Sequence, residues 1–265
     1  MKIGIYQFAP KWGDKTANLS RICAELRRHP GVRLWILPEL CTSGYQFRSA
    51  QEVKRLAEPF PGGPSSEIIA ALSAELQTSI ILGVIEESAN AVYNSAALFS
   101  RGDLLGRYQK IHLFLNEKRW FQPGQQPFRV YSIDGLNVGL MICFDWIFPE
   151  AARSLARQGA QLIAHPANLV LPYCQAAMVT RSIENRVFTA TANRIGSESI
   201  RPENPLRFTG ASQITNPAGQ RLGRLGEEEQ GVLIADIDPA LADKKRITPA
   251  NDIFADRRPD LYEMD

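Results

Sequence analysis

The segment NVGLMICFDWIFPEAARSLARQGAQLIAHP, residues 137–166, reads as a strand, a helix and a second strand. An apolar run ends near Cys143, and another begins after Gly159. Between them, small and apolar residues recur at helical spacing. Pro149 suits the first helical turn, and Gly159 suits the end of the helix. This order predicts the strand–helix alternation of an α/β protein.

The same alternation continues along the whole chain. Further apolar runs include KIGIYQF, VRLWILP, SIILGVIEE and GVLIADID, and one helical pattern between them groups four apolar side chains: Ile68, Ile69, Leu72 and Leu76. The short SRGD and NPAG turns indicate antiparallel hairpins, so we expect mixed sheets. We expect one domain over residues 1–265, with residues 250–265 forming a polar, proline-broken tail that contacts a partner.

Composition excludes several classes of function. Lysine plus arginine total 30 against 28 for aspartate plus glutamate, with no dense basic run, which argues against nucleic-acid binding. We find neither a signal peptide nor an apolar run long enough to span a membrane, so we expect a cytosolic protein without membrane contacts. The four cysteines, Cys23, Cys41, Cys143 and Cys174, are irregularly spaced, which argues against disulfides and against a zinc site.

Cys143 allows two interpretations. Free cysteines that follow apolar strands are usually inert core residues. However, the sharp bend CFDW before a proline-started helix would expose the thiol and direct backbone amides towards it. A nucleophilic thiol also needs a base, but His29 lies at a helix end and we expect His112 to be a hydrogen-bonded structural residue. A carboxylate could serve as the base instead if burial raised its pKa.

Two charged residues could assist such a thiol. Glu39 directly follows the apolar strand RLWIL, where open α/β sheets place their sites. The alternative is a solvated glutamate that braces a loop. Lys110 stands beside the apolar residues IHLF. The alternative interpretation of Lys110 is a surface lysine whose aliphatic stem is buried. Glu117 follows shortly afterwards and gives a weak signal by itself.

Seven motifs taken together resemble the nitrilase superfamily of carbon–nitrogen hydrolases. In chain order they are LPELCTSGY, GRYQKIHLF, GLMICFDWIFPE, HPAN, RSIENRVFTATANRIG, FTGASQITNPAG and NDIFADRRPDLY. The resemblance runs from about residue 3 to residue 262. It implies a catalytic triad of Glu39, Lys110 and Cys143, with Glu117 as a second glutamate of the site. It also implies a four-layer α-β-β-α sandwich with two mixed sheets that pairs into a homodimer or a higher even oligomer.

The resemblance further implies a thiol hydrolase that needs neither a metal nor a cofactor. The turn CFDWIFPE is closest to the branch of small aliphatic amidases and nitrilases that includes omega-amidase. We therefore expect a small aliphatic amide to give an acid and ammonia through a cysteine thioester. The oxyanion would be held by Lys110 and the backbone N–H of Phe144, and three further residues are candidate substrate contacts: Trp146, Asn168 and Tyr45.

Other functions remain open at this stage. A nitrilase acting on a small aliphatic nitrile and an amidohydrolase acting on an N-carbamoyl amine would both use the same triad. A catalytically idle binding scaffold is the alternative outside enzymes. Such proteins usually lose a triad residue, and this chain keeps all three.

Overall fold

The computed structural model describes residues 1–200, 203 and 205–262. Two mixed sheets form its centre. The first has the strand order β15-β1-β2-β4-β5-β6, with β3 beside β4. Its strands are β1 (Lys2–Gln7), β2 (Leu34–Ile36), β3 (Glu58–Pro59), β4 (Ser79–Ser88), β5 (Ala91–Ser100), β6 (Asp103–Gln109) and β15 (Gly231–Asp236). Strand β2 runs parallel to both β1 and β4. The pairs β15–β1, β4–β5 and β5–β6 are antiparallel.

The second sheet has the order β14-β13-β10-β9-β8-β7. Its strands are β7 (Val130–Ile133), β8 (Leu136–Leu140), β9 (Leu162–Pro166), β10 (Phe188–Ala192), β13 (Gln213–Thr215) and β14 (Arg221–Arg224). Strands β8, β9 and β10 are parallel, and the rest pair antiparallel. A separate short pair consists of β11 (Ser197–Glu198) and β12 (Leu206–Arg207).

The described residues form these α-helices: α1 (Lys15–Arg27), α2 (Ala50–Leu56), α3 (Pro64–Glu75), α4 (Glu117–Trp120), α5 (Pro149–Arg157), α6 (Cys174–Asn185) and α7 (Ala240–Asp243). Short 3-10 turns span Cys143–Ile147 and Pro259–Leu261. Helices α1 and α3 pack on the first sheet, and α5 and α6 pack on the second.

Alternation along the strands explains the layers. In β2, Leu34 and Ile36 belong to the core shared with the second sheet, whereas Trp35 belongs to the core beneath α1 and α3. Successive strand residues point to opposite faces, so this apolar run buries both faces of its sheet. The four-layer α-β-β-α sandwich with two mixed sheets is confirmed.

The predicted hairpins are also present. Strands β5 and β6 meet at the SRGD turn, and β13 and β14 meet at the NPAG turn. One detail of the helix prediction is wrong, because Ile68 is 42% exposed. The buried stripe of α3 contains Ile69, Leu72 and three serines, Ser65, Ser66 and Ser73. Small side chains let this helix lie close to its neighbours, a feature that apolar periodicity does not detect.

The predicted tail carries mostly exposed side chains over residues 250–262, and its last three residues, 263–265, lie outside the described part. Phe254 packs beneath the guanidinium of Arg153 and near the ammonium of Lys245. The tail therefore begins against helix α5. In the described residues, no helix is long and apolar enough to cross a membrane.

Candidate active site

Cys143 lies where β8 ends and a 3-10 turn begins. Its φ of +43° is in the left-handed region that non-glycine residues rarely adopt. The side chain is 4% exposed. Helix α5 begins six residues later at Pro149. The sharp strand-to-helix bend expected from CFDW is therefore present, and it imposes on Cys143 the kind of backbone strain that is concentrated at functional sites. The expected exposure of the thiol is wrong, because the bend packs Cys143 into the apolar core.

The two predicted glutamates meet at the predicted lysine. The Nζ of Lys110 lies 2.7 Å from the Oε1 of Glu39 and 2.8 Å from the Oε1 of Glu117. Lys110 is 0%, Glu39 1% and Glu117 3% exposed. The surface roles considered for Glu39 and Lys110 are therefore wrong. The two carboxylates share the single ammonium of Lys110, and this pairing lowers the cost of burying the three groups.

Local geometry brings Glu39 against the first sheet. Glu39 follows β2 after Leu37 and Pro38. A Cβ atom on Gly83 of β4 would lie only 2.3 Å from the carbonyl oxygen of Pro38 and 2.8 Å from the Cα of Glu39. Glycine at this position therefore permits the close approach of the chain that carries Glu39.

The hydrogen bonds of the two carboxylates differ. The Oε1 of Glu39 accepts from the side chain of Asn94 at 2.7 Å, besides Lys110. Its Oε2 is buried and has no hydrogen-bond partner among the described residues. The Oε1 of Glu117 accepts from the hydroxyl of Tyr45 at 2.6 Å. Glu39 thus keeps one free acceptor atom, whereas Glu117 is held by a lysine and a tyrosine.

Burial and neighbouring charges shift the pKa values of this cluster. Burial raises the pKa of the Cys143 thiol well above its ordinary value; Glu39 adds to the rise, and Lys110 opposes it. Burial also raises the pKa of Glu117, to about 7, against the lowering effect of Lys110. Burial alone would lower the pKa of Lys110, but the charges of Glu117 and Glu39 raise it overall. Lys110 therefore stays a cation while the resting thiol keeps its proton.

A buried aspartate fixes the turn that carries Cys143. The Oδ2 of Asp145 accepts from the backbone N–H of Ile142 at 2.8 Å and from the hydroxyl of Tyr108 at 2.9 Å. The Nδ1 of His112 lies 2.7 Å from its Oδ1. Because Tyr108 and His112 flank Lys110 in the chain, these contacts tie the lysine segment to the cysteine turn. The structural role expected for His112 agrees with this geometry.

His165 supports the same turn from the other side. Its Nε2 lies 2.8 Å from the carbonyl oxygen of Cys143, and its Nδ1 lies 3.1 Å from the hydroxyl of Thr191. Burial lowers the pKa of His165. A neutral ring that donates from Nε2 satisfies the carbonyl, which leaves Nδ1 to accept from Thr191. This histidine therefore holds the backbone and is not placed to act on the thiol.

A cavity of about 10 Å³ lies beside Cys143. It is lined by Cys143, Phe114, Phe144, Trp146, Asn168, Leu169, Val170 and Leu171. Three of the four predicted oxyanion and substrate residues are thus in its wall: Phe144, Trp146 and Asn168. The side-chain amide of Asn168 is 2% exposed, and neither its oxygen nor its nitrogen has a partner among the described residues. Tyr45 lies at the carboxylate cluster, where its hydroxyl is bound to Glu117.

Sequence reasoning missed the residues that support this cluster. Asn94 reaches Glu39 from β5, and no local motif signals that contact. Asp145 did carry a signal, because an acidic residue two positions after a candidate nucleophile can bind the amides of a tight turn. The buried residues Arg194 and Glu198 were also missed: Arg194 follows β10 within the motif RSIENRVFTATANRIG, and Glu198 lies in β11, but the sequence pattern assigned neither residue a role.

Comparisons with known proteins show the family of this chain. Residues 2–246 match the family model for carbon–nitrogen hydrolases. The chain is 40% identical over 264 residues to a nitrilase from Pyrococcus abyssi, covering 99% of each chain. It is 34% identical to an N-carbamoylputrescine amidase from Solanum lycopersicum, covering 88% of this chain and 84% of the relative.

A solved structure adds information on the active-site cysteine. It is a mutant of the amidase from Nesterenkonia sp. AN1 that shows Michael addition of acrylamide at the active-site cysteine. It shares 29% sequence identity and a TM-score of 0.77, covering 93% of this chain and 96% of that one. The chain studied here belongs to the carbon–nitrogen hydrolase family, within the nitrilase superfamily. It is an enzyme of the amidase and nitrilase type, with Cys143 at the position expected for the active-site cysteine.

Proposed function

We propose that this enzyme hydrolyses a small aliphatic primary amide to a carboxylic acid and ammonia. The observation that carries the proposal is the buried, unpartnered Oε2 of Glu39, in a carboxylate–lysine cluster whose charges act on the Cys143 thiol. A thiol whose pKa is raised by burial needs a base at the moment of attack. A carboxylate with a free oxygen supplies one.

The reaction that we propose has two stages. Glu39 takes the proton of Cys143, and the sulfur attacks the amide carbon to form a tetrahedral intermediate. The Lys110 ammonium and the backbone N–H of Phe144 stabilise its oxyanion. The C–N bond then breaks and ammonia leaves with the proton held by Glu39. In the second stage Glu39 removes a proton from water, and the resulting hydroxide attacks the thioester carbon. The C–S bond then breaks to release the acid, and Glu39 returns its proton to the Cys143 sulfur.

Glu117 has a separate role in this proposal. It accepts hydrogen bonds from both Lys110 and Tyr45 and therefore fixes the direction of the lysine ammonium. An ammonium has three donors, and two of them are used by Glu39 and Glu117. The third is free for the oxyanion.

The lining of the cavity, whose volume of about 10 Å³ has room for about one water molecule, favours a small, uncharged acyl group. Its wall is apolar apart from Cys143 and the Asn168 amide, which can donate to a carbonyl oxygen or accept from an amide N–H. The adjoining cluster has two carboxylates and one ammonium, so an anionic acyl group would be repelled when both carboxylates are ionised. Trp146 and Phe144 remain predicted contacts for the acyl chain.

Nitrile hydrolysis is the second candidate, because the relative from Pyrococcus abyssi is named a nitrilase. Hydrolysis of an N-carbamoyl amine is a third, supported by the amidase from Solanum lycopersicum. We favour the amide because its carbonyl oxygen becomes an oxyanion for Lys110 and Phe144. A nitrile instead forms a linear thioimidate whose developing nitrogen anion needs a proton donor in another direction.

The cytosol remains the location expected from the sequence.

A matched substrate panel tests the proposal. Ammonia release is measured with butyramide, butyronitrile and N-carbamoyl butylamine, and with the anionic amide succinamate. Intact-mass spectrometry detects any adduct on Cys143. We expect kcat/KM to be highest for butyramide, with succinamate about tenfold or more lower, because repulsion between two like charges about 4 Å apart costs on the order of 1 to 4 kcal/mol. A higher kcat/KM for the nitrile or for the carbamoyl compound would replace the amidase assignment.

A further inference from the structure

Arg194 and Glu198 form a buried ion pair outside the cluster assigned to catalysis. Arg194 is 1% and Glu198 8% exposed, and the Nη1 of Arg194 donates to the Oε1 of Glu198. Desolvating two charges is costly, and such a pair often stabilises a fold no better than apolar residues of similar volume would. Stability alone is therefore a weak reason for its presence.

The second oxygen of Glu198 binds the segment that carries Tyr45. Its Oε2 accepts from the backbone N–H groups of Tyr45 and Gln46, both at 2.8 Å. The preceding residue, Gly44, has a φ of +91°, and a Cβ there would lie 3.0 Å from the Oε1 of Glu198. The turn before Tyr45 therefore lies directly against the glutamate, and only glycine fits without strain.

Arg194 also acts on the ring of Tyr45, through an aromatic neighbour. Its guanidinium lies 4.0 Å from the centre of the Phe208 ring, within the range of a cation–π contact. Phe208 in turn meets the ring of Tyr45 edge to face, with 6.0 Å between the ring centres. The ion pair thus contacts Tyr45 at the backbone directly and at the ring through Phe208.

We infer that Arg194 and Glu198 are positioning residues that hold Tyr45 with its hydroxyl donating to Glu117. The chain of contacts continues from Tyr45 to Glu117 at 2.6 Å and from Glu117 to Lys110 at 2.8 Å. Loss of the pair frees the Tyr45 segment and removes one of the two donors that fix the Oε1 of Glu117. This inference rests on the proposed function, in which Glu117 directs the ammonium of Lys110.

A double-mutant cycle tests the inference. The variants are Glu198→Ala, Tyr45→Phe and the two combined, with kcat and KM measured for the best amide of the panel. We expect each single change to lower kcat about tenfold, the size of losing one hydrogen bond to a charged group, with a smaller effect on KM. In the Tyr45→Phe background, Glu198→Ala should lower kcat less than about twofold, because residues that act through one another are not additive.

Glu58→Ala is the matched control. Glu58 is 2% exposed, accepts from the backbone N–H of Ser65 at 2.7 Å and pairs with Lys15 at 2.8 Å, and among the described residues no hydrogen bond or ion pair joins it to the cluster. We expect this change to lower the unfolding temperature and to leave kcat unaltered. Glu198→Gln keeps an acceptor for the two backbone N–H groups, so it should recover part of the kcat lost in Glu198→Ala. Glu198→Gln also replaces Glu198→Ala in the double-mutant cycle if the alanine variant does not fold.

Two results would overturn the inference: independent, multiplicative losses in the double variant, or an unaltered kcat in Glu198→Ala. Absence of amide turnover by the unmodified enzyme would instead reject the proposed function, and this inference with it.

Discussion

Two buried cysteines of this chain differ in what surrounds the sulfur. Cys41 is fully buried, donates weakly to the carbonyl oxygen of Gly83 at 3.5 Å, and has its pKa raised by burial to about 12. Cys143 is also buried, and burial and Glu39 raise its pKa well above the ordinary value, but this thiol lies beside both a carboxylate that can take its proton, Glu39, and an ammonium that lowers its pKa, Lys110. Attack by a thiolate needs such compensation.

We predict that Cys143→Ala abolishes turnover while Cys41→Ala retains it. The first change should lower kcat/KM by about 10³-fold or more, as expected when a nucleophile is removed. The second should only reduce the free energy of unfolding by about 1 kcal/mol through lost packing. Amide turnover and thermal unfolding of both variants give the measurement. An active Cys143→Ala protein beside an inactive Cys41→Ala protein would show that the nucleophile is Cys41.

Sequence context identified Cys143, Glu39 and Lys110 as candidates but could not decide their burial. From one segment alone, a glutamate and a lysine are most often solvated. Their burial depends on each other, since Glu39 follows β2 while Lys110 follows β6. A prediction made from one segment at a time cannot include an ion-pair partner that another strand supplies. The resemblance to a family supplied that information.

At the scale of elements, the network around Asp145 joins β6 to the turn after β8. The segment Tyr108 to His112 carries Lys110 between its two contacts with Asp145. His112 also stacks on Phe148, at 3.8 Å between ring centres. Two elements that each carry a residue of the proposed triad are therefore fixed at three points, the arrangement by which a site keeps its geometry.

We predict that Tyr108→Phe lowers kcat/KM about tenfold, since a buried carboxylate then loses one hydrogen bond worth about 1 to 3 kcal/mol. Alkylation of Cys143 by iodoacetamide should slow as well, because the turn is less well fixed. Tyr131→Phe is the control, since the hydroxyl of Tyr131 donates to the carbonyl oxygen of Arg107 on the protein surface. Equal losses in both variants would mean that the Asp145 network has no special role.

Element types were largely predictable because their signals are local. Pro149 and Gly159 bound helix α5 as expected, with Gly159 at a φ of +89°. Contacts between elements were harder to predict from the sequence. Asn94 reaches Glu39 only because β5 pairs with β4 and thereby faces the end of β2. Such long-range register is set by the packed sheet as a whole, and no short window of sequence contains it.

At the scale of the whole molecule, the site lies where the two sheets meet. Glu39 and Lys110 come from the first sheet and Cys143 from the second. Neither sheet carries all three residues of the proposed triad, so the proposed chemistry requires the two sheets to stack. The sequence indicated the alternation of strands and helices. Strand β1 begins at residue 2, and its neighbour β15 begins at residue 231. No local sequence pattern could predict that these two strands pair.

The helical layer formed by α5 and α6 is relevant to oligomer formation. Helix α6 and the residues beside α5 expose three large apolar side chains: Ile147 at 41%, Tyr173 at 63% and Ile183 at 48%. Such residues suit an isologous contact between two copies of the chain. The homodimer or higher even oligomer expected from the sequence remains a prediction, with helices α5 and α6 and the polar tail as its expected interface.

We predict a particle of at least twice the 29.5 kDa chain mass in light scattering. Ile183→Asp should weaken the assembly, because a buried, unpaired carboxylate costs several kcal/mol at an interface. Ile68→Asp is the matched control, since Ile68 is similarly exposed at 42% but lies on α3, in the opposite helical layer. A 29.5 kDa monomer at every working concentration would refute the oligomer. Equal weakening by both changes would move the interface away from α6.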